Sequence, residues 1–92
     1  MDIEEHLASE FAKYGTRTPR IHLELDQLFK EYGPAHRKHR HHLEYVLNKW
    51  ARGEWSPHEV RVAILHIMDD CNGMLMTQDD WCDYIDFYDE DK

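Results

Sequence analysis

The chain has 92 residues, 41% of them hydrophobic and 12% aromatic, and a formal charge of −8 when its eight histidines are counted neutral. That length supports one domain, residues 1–92, around one modest core, and the apolar content is too high for global disorder. The acidic balance repels nucleic-acid phosphates and anionic membrane surfaces, so the expected partner is a protein rather than nucleic acid or a membrane.

Met1-Asp2-Ile3-Glu4-Glu5 lacks the basic and apolar regions of a secretory leader, and no apolar run nears the roughly 20 residues that span a bilayer. A cytoplasmic protein is expected. In a reducing compartment Cys71 and Cys82 read as buried thiols rather than a disulfide framework. Ile3, Leu7, Phe11 and Tyr14 fall on one face of a first helix, and Gly15 stops it. After Thr18-Pro19, Ile21, Leu25, Leu28 and Tyr32 align a second helix that Gly33-Pro34 ends.

A third helix is predicted from Pro34 to about Arg52, with Leu43, Val46, Leu47 and Trp50 as the apolar stripe of its second half. Ser56-Pro57-His58-Glu59 is a capping-box start with proline at the first helical position. The fourth helix that follows buries Val60, Ile64, Ile67 and Cys71 and closes at Asn72-Gly73. Thr77 and Asp80 cap a final helix carrying Trp81, Tyr84, Ile85 and Tyr88. The fold class is therefore all-α, a compact bundle of about five short helices with the third and fourth as its central hairpin.

His36-Arg37-Lys38-His39-Arg40-His41-His42 stands out in an acidic protein. Carrying the Leu43, Val46, Trp50 stripe backwards turns His36 and His39 inward, with His42 at the edge, and leaves Arg37, Lys38 and His41 outward. The second helix pairs His22 with Asp26, and the fourth pairs His66 with Asp69 and Asp70, each at one-turn spacing. If these helices meet, His22, Asp26, His36, His42, His66 and Asp70 form a mixed nitrogen and oxygen set suited to Zn²⁺, Mn²⁺ or Fe²⁺.

The simpler alternative is that His66 and Asp70 only bond each other, while the basic run pairs with the acidic tail. Nucleophilic catalysis has no candidate, since both cysteines sit among apolar and acidic neighbours that raise a thiol pKa. No glycine-rich phosphate loop is present, so an anion would fall to Arg37 and Arg40.

The order His22, Asp26, His36-Arg37, His41-His42, His66-Ile67, Asp70, Gly73, Thr77 and Asp80-Trp81 resembles an uncharacterised family of small bacteriophage and bacterial proteins, over roughly residues 20–85. Met76 stands where that family has proline, and His39 and Lys38 are extra. The resemblance implies a phage or prophage origin and a shared polar site at His36, His42, His66 and Asp70, without an activity. Ala63-Ile64-Leu65-His66 also resembles the metal-binding helix of HD-type phosphohydrolases, although Ile67 replaces the aspartate of the pair.

Three functions are thus expected in competition. The first is an accessory protein acting by binding, its His/Asp cluster holding a divalent metal. The second is an acidic inhibitor of a host defence complex that mimics nucleic acid and binds its partner through Asp83, Asp86 and Asp89. The third is an HD-like metal-dependent phosphohydrolase.

Overall fold

The computed structural model describes residues 2–80. In chain order they form α1 (Ile3–Tyr14), α2 (Pro19–Asp26), α3 (Phe29–Tyr32), a 3₁₀ turn (Gly33–His36), α4 (Arg37–Arg40), α5 (Leu43–Ala51) and α6 (Pro57–Asp69). No strand occurs among the described residues, and the protein is a small all-α bundle. The predicted final helix, from Trp81 onward, lies outside the described residues.

Local chemistry sets the ends of the long helices. Asp2 and Glu5 close a capping box on α1, and Gly15, at φ 72°, takes the left-handed conformation that lets its N–H reach the Phe11 carbonyl. Ser56 and Glu59 close a second capping box on α6, with Pro57 opening the helix. Thr18 precedes α2 without capping it, because its hydroxyl is turned toward Glu10 instead.

Two predicted helices prove to be broken. The segment expected to run unbroken from Ile21 to Tyr32 stops at Asp26 and restarts at Phe29. The segment expected from Pro34 to Arg52 breaks at His41-His42, where His42 is extended (φ −146°, ψ 160°) and its Nδ1 accepts the Tyr45 N–H as the N-cap of α5. The Leu43 N–H meanwhile donates to the Met76 carbonyl at 2.9 Å, which ties this break to the chain after α6. A face extrapolated back from α5 therefore does not carry across the break.

Helices α1, α2 and α6 pack on one another, and α5 packs on α6. Ile21 and Leu25 from α2, Val46 from α5, and Val62, Ala63 and Ile67 from α6 bury fully into the core, with Trp55 and Met76 beside them. The predicted α5 stripe is narrower than expected: Leu47 and Trp50 are 46% and 55% exposed. Trp55, in the turn after α5, takes the buried aromatic place and meets Tyr45 edge-on. Phe11 of the expected α1 stripe is also exposed, whereas His6 and Glu10 are fully buried.

A candidate metal centre

Three helices each present a histidine and an acid one turn apart. The pairs are His6 and Glu10 on α1, His22 and Asp26 on α2, and His66 of α6 with Asp70 at its C-cap. On α2, Ile21 and Leu25 face the core, and the neighbouring positions, rotated by about 100°, carry His22 into a second buried layer and Asp26 to its partly exposed edge. Because the three helices touch, their polar pairs meet.

The layer begins at Glu10. Its carboxylate accepts from the Thr16 hydroxyl (2.6 Å), the Thr18 hydroxyl (2.7 Å) and the Thr18 N–H (2.9 Å). Burial pushes this carboxyl up, but the threonine and His22 hydrogen bonds outweigh it and hold the carboxyl below its ordinary range. An ionised Glu10 must accept from His22 Nε2–H, 2.8 Å away.

Proton positions in the next two rings follow from that bond. Burial pushes His22 down, and burial likewise brings His66 down to about 4, so both imidazoles are neutral at neutral pH. With its proton on Nε2, His22 has a bare Nδ1 that accepts from His66 Nδ1–H at 2.9 Å. His66 Nε2 is then a bare lone pair.

That lone pair points into a group of acceptors. Asp26 Oδ1 lies 3.2 Å from it, Asp70 Oδ2 3.4 Å and His41 Nε2 2.9 Å. His41 Nε2 is itself 3.2 Å from Asp26 Oδ1 and 3.0 Å from Asp70 Oδ2. Two ring nitrogens and two carboxylate oxygens this close call for positive charge among them, from a proton on His41 or from a bound cation. Metal bonds of about 2.0–2.1 Å imply edges of roughly 3.3–3.4 Å between tetrahedral ligands and about 2.9 Å between neighbouring octahedral ones. The observed separations span that range.

Electrostatics agree with a cation-seeking centre. Burial pushes the Asp26 carboxyl up, but the imidazoles of His36, His41 and His66 outweigh it and hold Asp26 far below the usual carboxylate range. Asp70 is depressed in the same way against burial, chiefly by His41 and His6. His41 moves upward, since the two carboxylates outweigh the burial that pushes it down. In the ligand-free protein the His41 proton supplies the positive charge at the centre.

Outer groups orient the ligands. His6 Nε2 is 3.3 Å and Arg37 Nη2 3.6 Å from Asp70 Oδ1, the oxygen turned away from His66 and His41. His6 also stacks on His66, with ring centroids 3.6 Å apart and planes 15° from parallel. His6, His22 and His66 place nitrogens close together as well. Stacked rings, however, run their in-plane lone pairs parallel rather than toward one point, so the convergent set is Asp26, His41, His66 and Asp70.

Of the six residues expected as ligands, the structure thus brings Asp26, His66 and Asp70 together. His22 stands one ring behind, as the group that fixes the His66 tautomer. His36 sits at the edge: its Nδ1–H donates to the Gly33 carbonyl (2.7 Å) and its Nε2 lies 3.3 Å from Asp26 Oδ1. His42 does not join, because its Nδ1 caps α5 and its Nε2–H donates to the His39 carbonyl.

The expected anion pair meets protein groups. Arg37 faces Asp70, and Arg40 donates to the Glu24 carbonyl and Gln27 Oε1. Asp83, Asp86 and Asp89, expected to bind a partner, lie outside the described residues. His41, expected outward, is fully buried because the helix breaks just after it. Sequence reasoning also missed His6 and Glu10, although their one-turn spacing repeats that of the other two pairs. No helix among the described residues is long and apolar enough to cross a membrane. Comparison of the chain with family models, curated proteins and solved structures finds no match.

Proposed function

We propose that this is a metal-binding protein in which Asp26, His41, His66 and Asp70 hold one divalent transition ion between α2, α6 and the α4–α5 break. Two imidazoles and two carboxylates suit Zn²⁺, Mn²⁺ or Fe²⁺, and the two carboxylates balance the ion's charge. The observation that carries this reading is the bare His66 Nε2, set by the Glu10–His22 relay and aimed between two carboxylate oxygens.

A hydrogen-bonded cluster with no ion is the weaker account. It leaves His66 Nε2, which has no proton of its own, facing Asp26 Oδ1 and Asp70 Oδ2 beside the His41 ring. The relay from Glu10 to His66 has the form of the outer groups that fix ligand tautomers in metal sites, lengthened by one ring. An accessory protein working by binding is the role we attach to the site, with the ion ordering the helices around it.

The test is elemental analysis of protein purified without a metal-affinity tag, followed by Zn²⁺, Mn²⁺ and Fe²⁺ titration of chelator-treated protein. One ion per chain is expected, with affinity lowered at least 100-fold in Asp26→Asn and Asp70→Asn. Wild-type protein that takes up none of the three ions while remaining folded would refute the proposal.

A further inference from the structure

The centre is open on one side only. A cleft of about 1130 Å³ reaches Asp26 and Asp70 but not His41 or His66, which are fully buried. An ion held by these four residues is therefore sealed on its nitrogen side and reachable past Asp26, whose side chain is 28% exposed against 2% for Asp70. The volume slightly exceeds that of most small-molecule pockets, which run about 300–1,000 Å³.

The walls differ in character. Leu23 and Phe29 line the cleft and are 57% and 54% exposed, which leaves two large apolar side chains of a small protein facing open space. Phe29 meets His36 edge-on at 5.4 Å, so the apolar wall continues to the edge of the metal centre. Lys30 also lines the cleft, and it forms no ion pair with any described residue.

Most acids in the walls are already engaged. Asp2 caps α1, Glu24 pairs with Lys49, and Asp26 and Asp70 belong to the ion. Arg20 pairs with Glu59 and Arg37 with Asp70. With the ion in place and its charge balanced by Asp26 and Asp70, a guest would meet the ammonium of Lys30 and an open coordination position that accepts an oxygen lone pair, and together these favour an oxyanion.

Building on the metal reading, we infer that this cleft is a binding site for a small organic oxyanion. Its charged head lies on the oxygen side of the metal beside Lys30, and its apolar body lies along Leu23 and Phe29. Carboxylate and phosphonate heads share the required chemistry, and the experiment separates them.

Full-length protein loaded with Co²⁺ is titrated with phenylphosphonate and benzoate, and with inorganic phosphate and acetate as heads lacking a body, while the visible Co²⁺ bands are followed. At least one aryl anion is expected to shift the bands and to bind about tenfold more tightly than its bare head, and the tighter aryl anion identifies the head preferred. Lys30→Glu and Leu23→Asp are each expected to weaken that anion by about tenfold while Co²⁺ affinity is unchanged. Co²⁺ bands that no anion moves would overturn the cleft assignment and leave the metal reading standing. Aryl anions that bind no better than bare heads, with both variants silent, would mean an adventitious anion only and would also overturn it. Failure to load Co²⁺ would defeat both readings.

Discussion

Two buried layers share the same helices and are held by different physics. On α2, Ile21 and Leu25 enter the apolar core while His22 and Asp26 enter the polar layer, and on α6 Ala63 and Ile67 divide from His66 and Asp70 in the same way. The apolar layer is non-directional: its stabilisation scales with the area removed from water, and similar side chains can substitute for one another. The polar layer depends on direction, because every buried nitrogen and oxygen must find a proton or a cation. The core therefore holds the helices together, and the His/Asp layer fixes their rotation.

The largest effect that separates the layers is metal removal. An ion present at about 1,000 times its Kd adds roughly 4 kcal/mol to folding stability. In a domain of this size each kcal/mol moves Tm by about 4–8 °C, so a chelator should lower Tm by on the order of 20 °C. Calorimetry of untagged protein with and without chelator checks this. An unchanged Tm would mean that protons alone satisfy the polar layer.

Next in size is a core truncation. Leu25 is fully buried, and Leu25→Ala should cost about 3 kcal/mol by denaturant unfolding. Its side chain faces away from the cluster, so the cost should be nearly the same in metal-loaded and chelated protein. A penalty confined to one of those states would show that the two layers are not independent.

The sequence revealed these layers unequally. The capped starts of α1 and α6 and the core residues Ile21, Leu25 and Ile67 were legible because caps and one-turn spacing are local properties, whereas Val60, Ile64 and Cys71, expected inside, are only partly buried and Val62 and Ala63 take the core. His66 with Asp70, and His22 with Asp26, were legible for the same reason. Which ring nitrogen faces which oxygen depends on how α1, α2 and α6 meet, and no local pattern encodes that. The exchange of His41 for His42 shows the limit: both stand in one basic run, and only the break before α5, secured by the Tyr45 and Leu43 N–H groups, turns one inward and gives the other to a cap. The His6–Glu10 pair was readable in principle, but the apolar face of Ile3, Leu7, Phe11 and Tyr14 was the stronger local signal.

That exchange supplies a third expectation. His42→Ala removes the α5 cap and should cost about 1 kcal/mol while leaving metal stoichiometry and affinity as they were. Thermal unfolding and metal titration of the same variant give both numbers. A large loss of metal affinity would return His42 to the ligand set and break the distinction drawn at the α4–α5 junction.

The smallest effect comes from a polar group outside the layer. Glu24 Oε2 accepts from the Tyr45 hydroxyl at 2.7 Å and pairs with Lys49 Nζ at 3.0 Å. Burial pushes the Glu24 carboxyl up, but these two partners outweigh it and leave the folded-state pKa below the ordinary 4.5. A depressed folded value means that the carboxylate's contribution is fully present above the unfolded value and disappears as pH falls through the folded one. Glu24→Gln should therefore be about 1 kcal/mol less stable than wild type at pH 7, with the gap closing below roughly pH 4.5. Unfolding curves of both proteins in chelator across the acid range measure that gap with metal excluded. A gap constant down to pH 3 would show that Glu24 acts through hydrogen-bonding shape alone, whereas a closing gap identifies its charge as the stabilising feature and sets this pair apart from the carboxylates of the His/Asp layer.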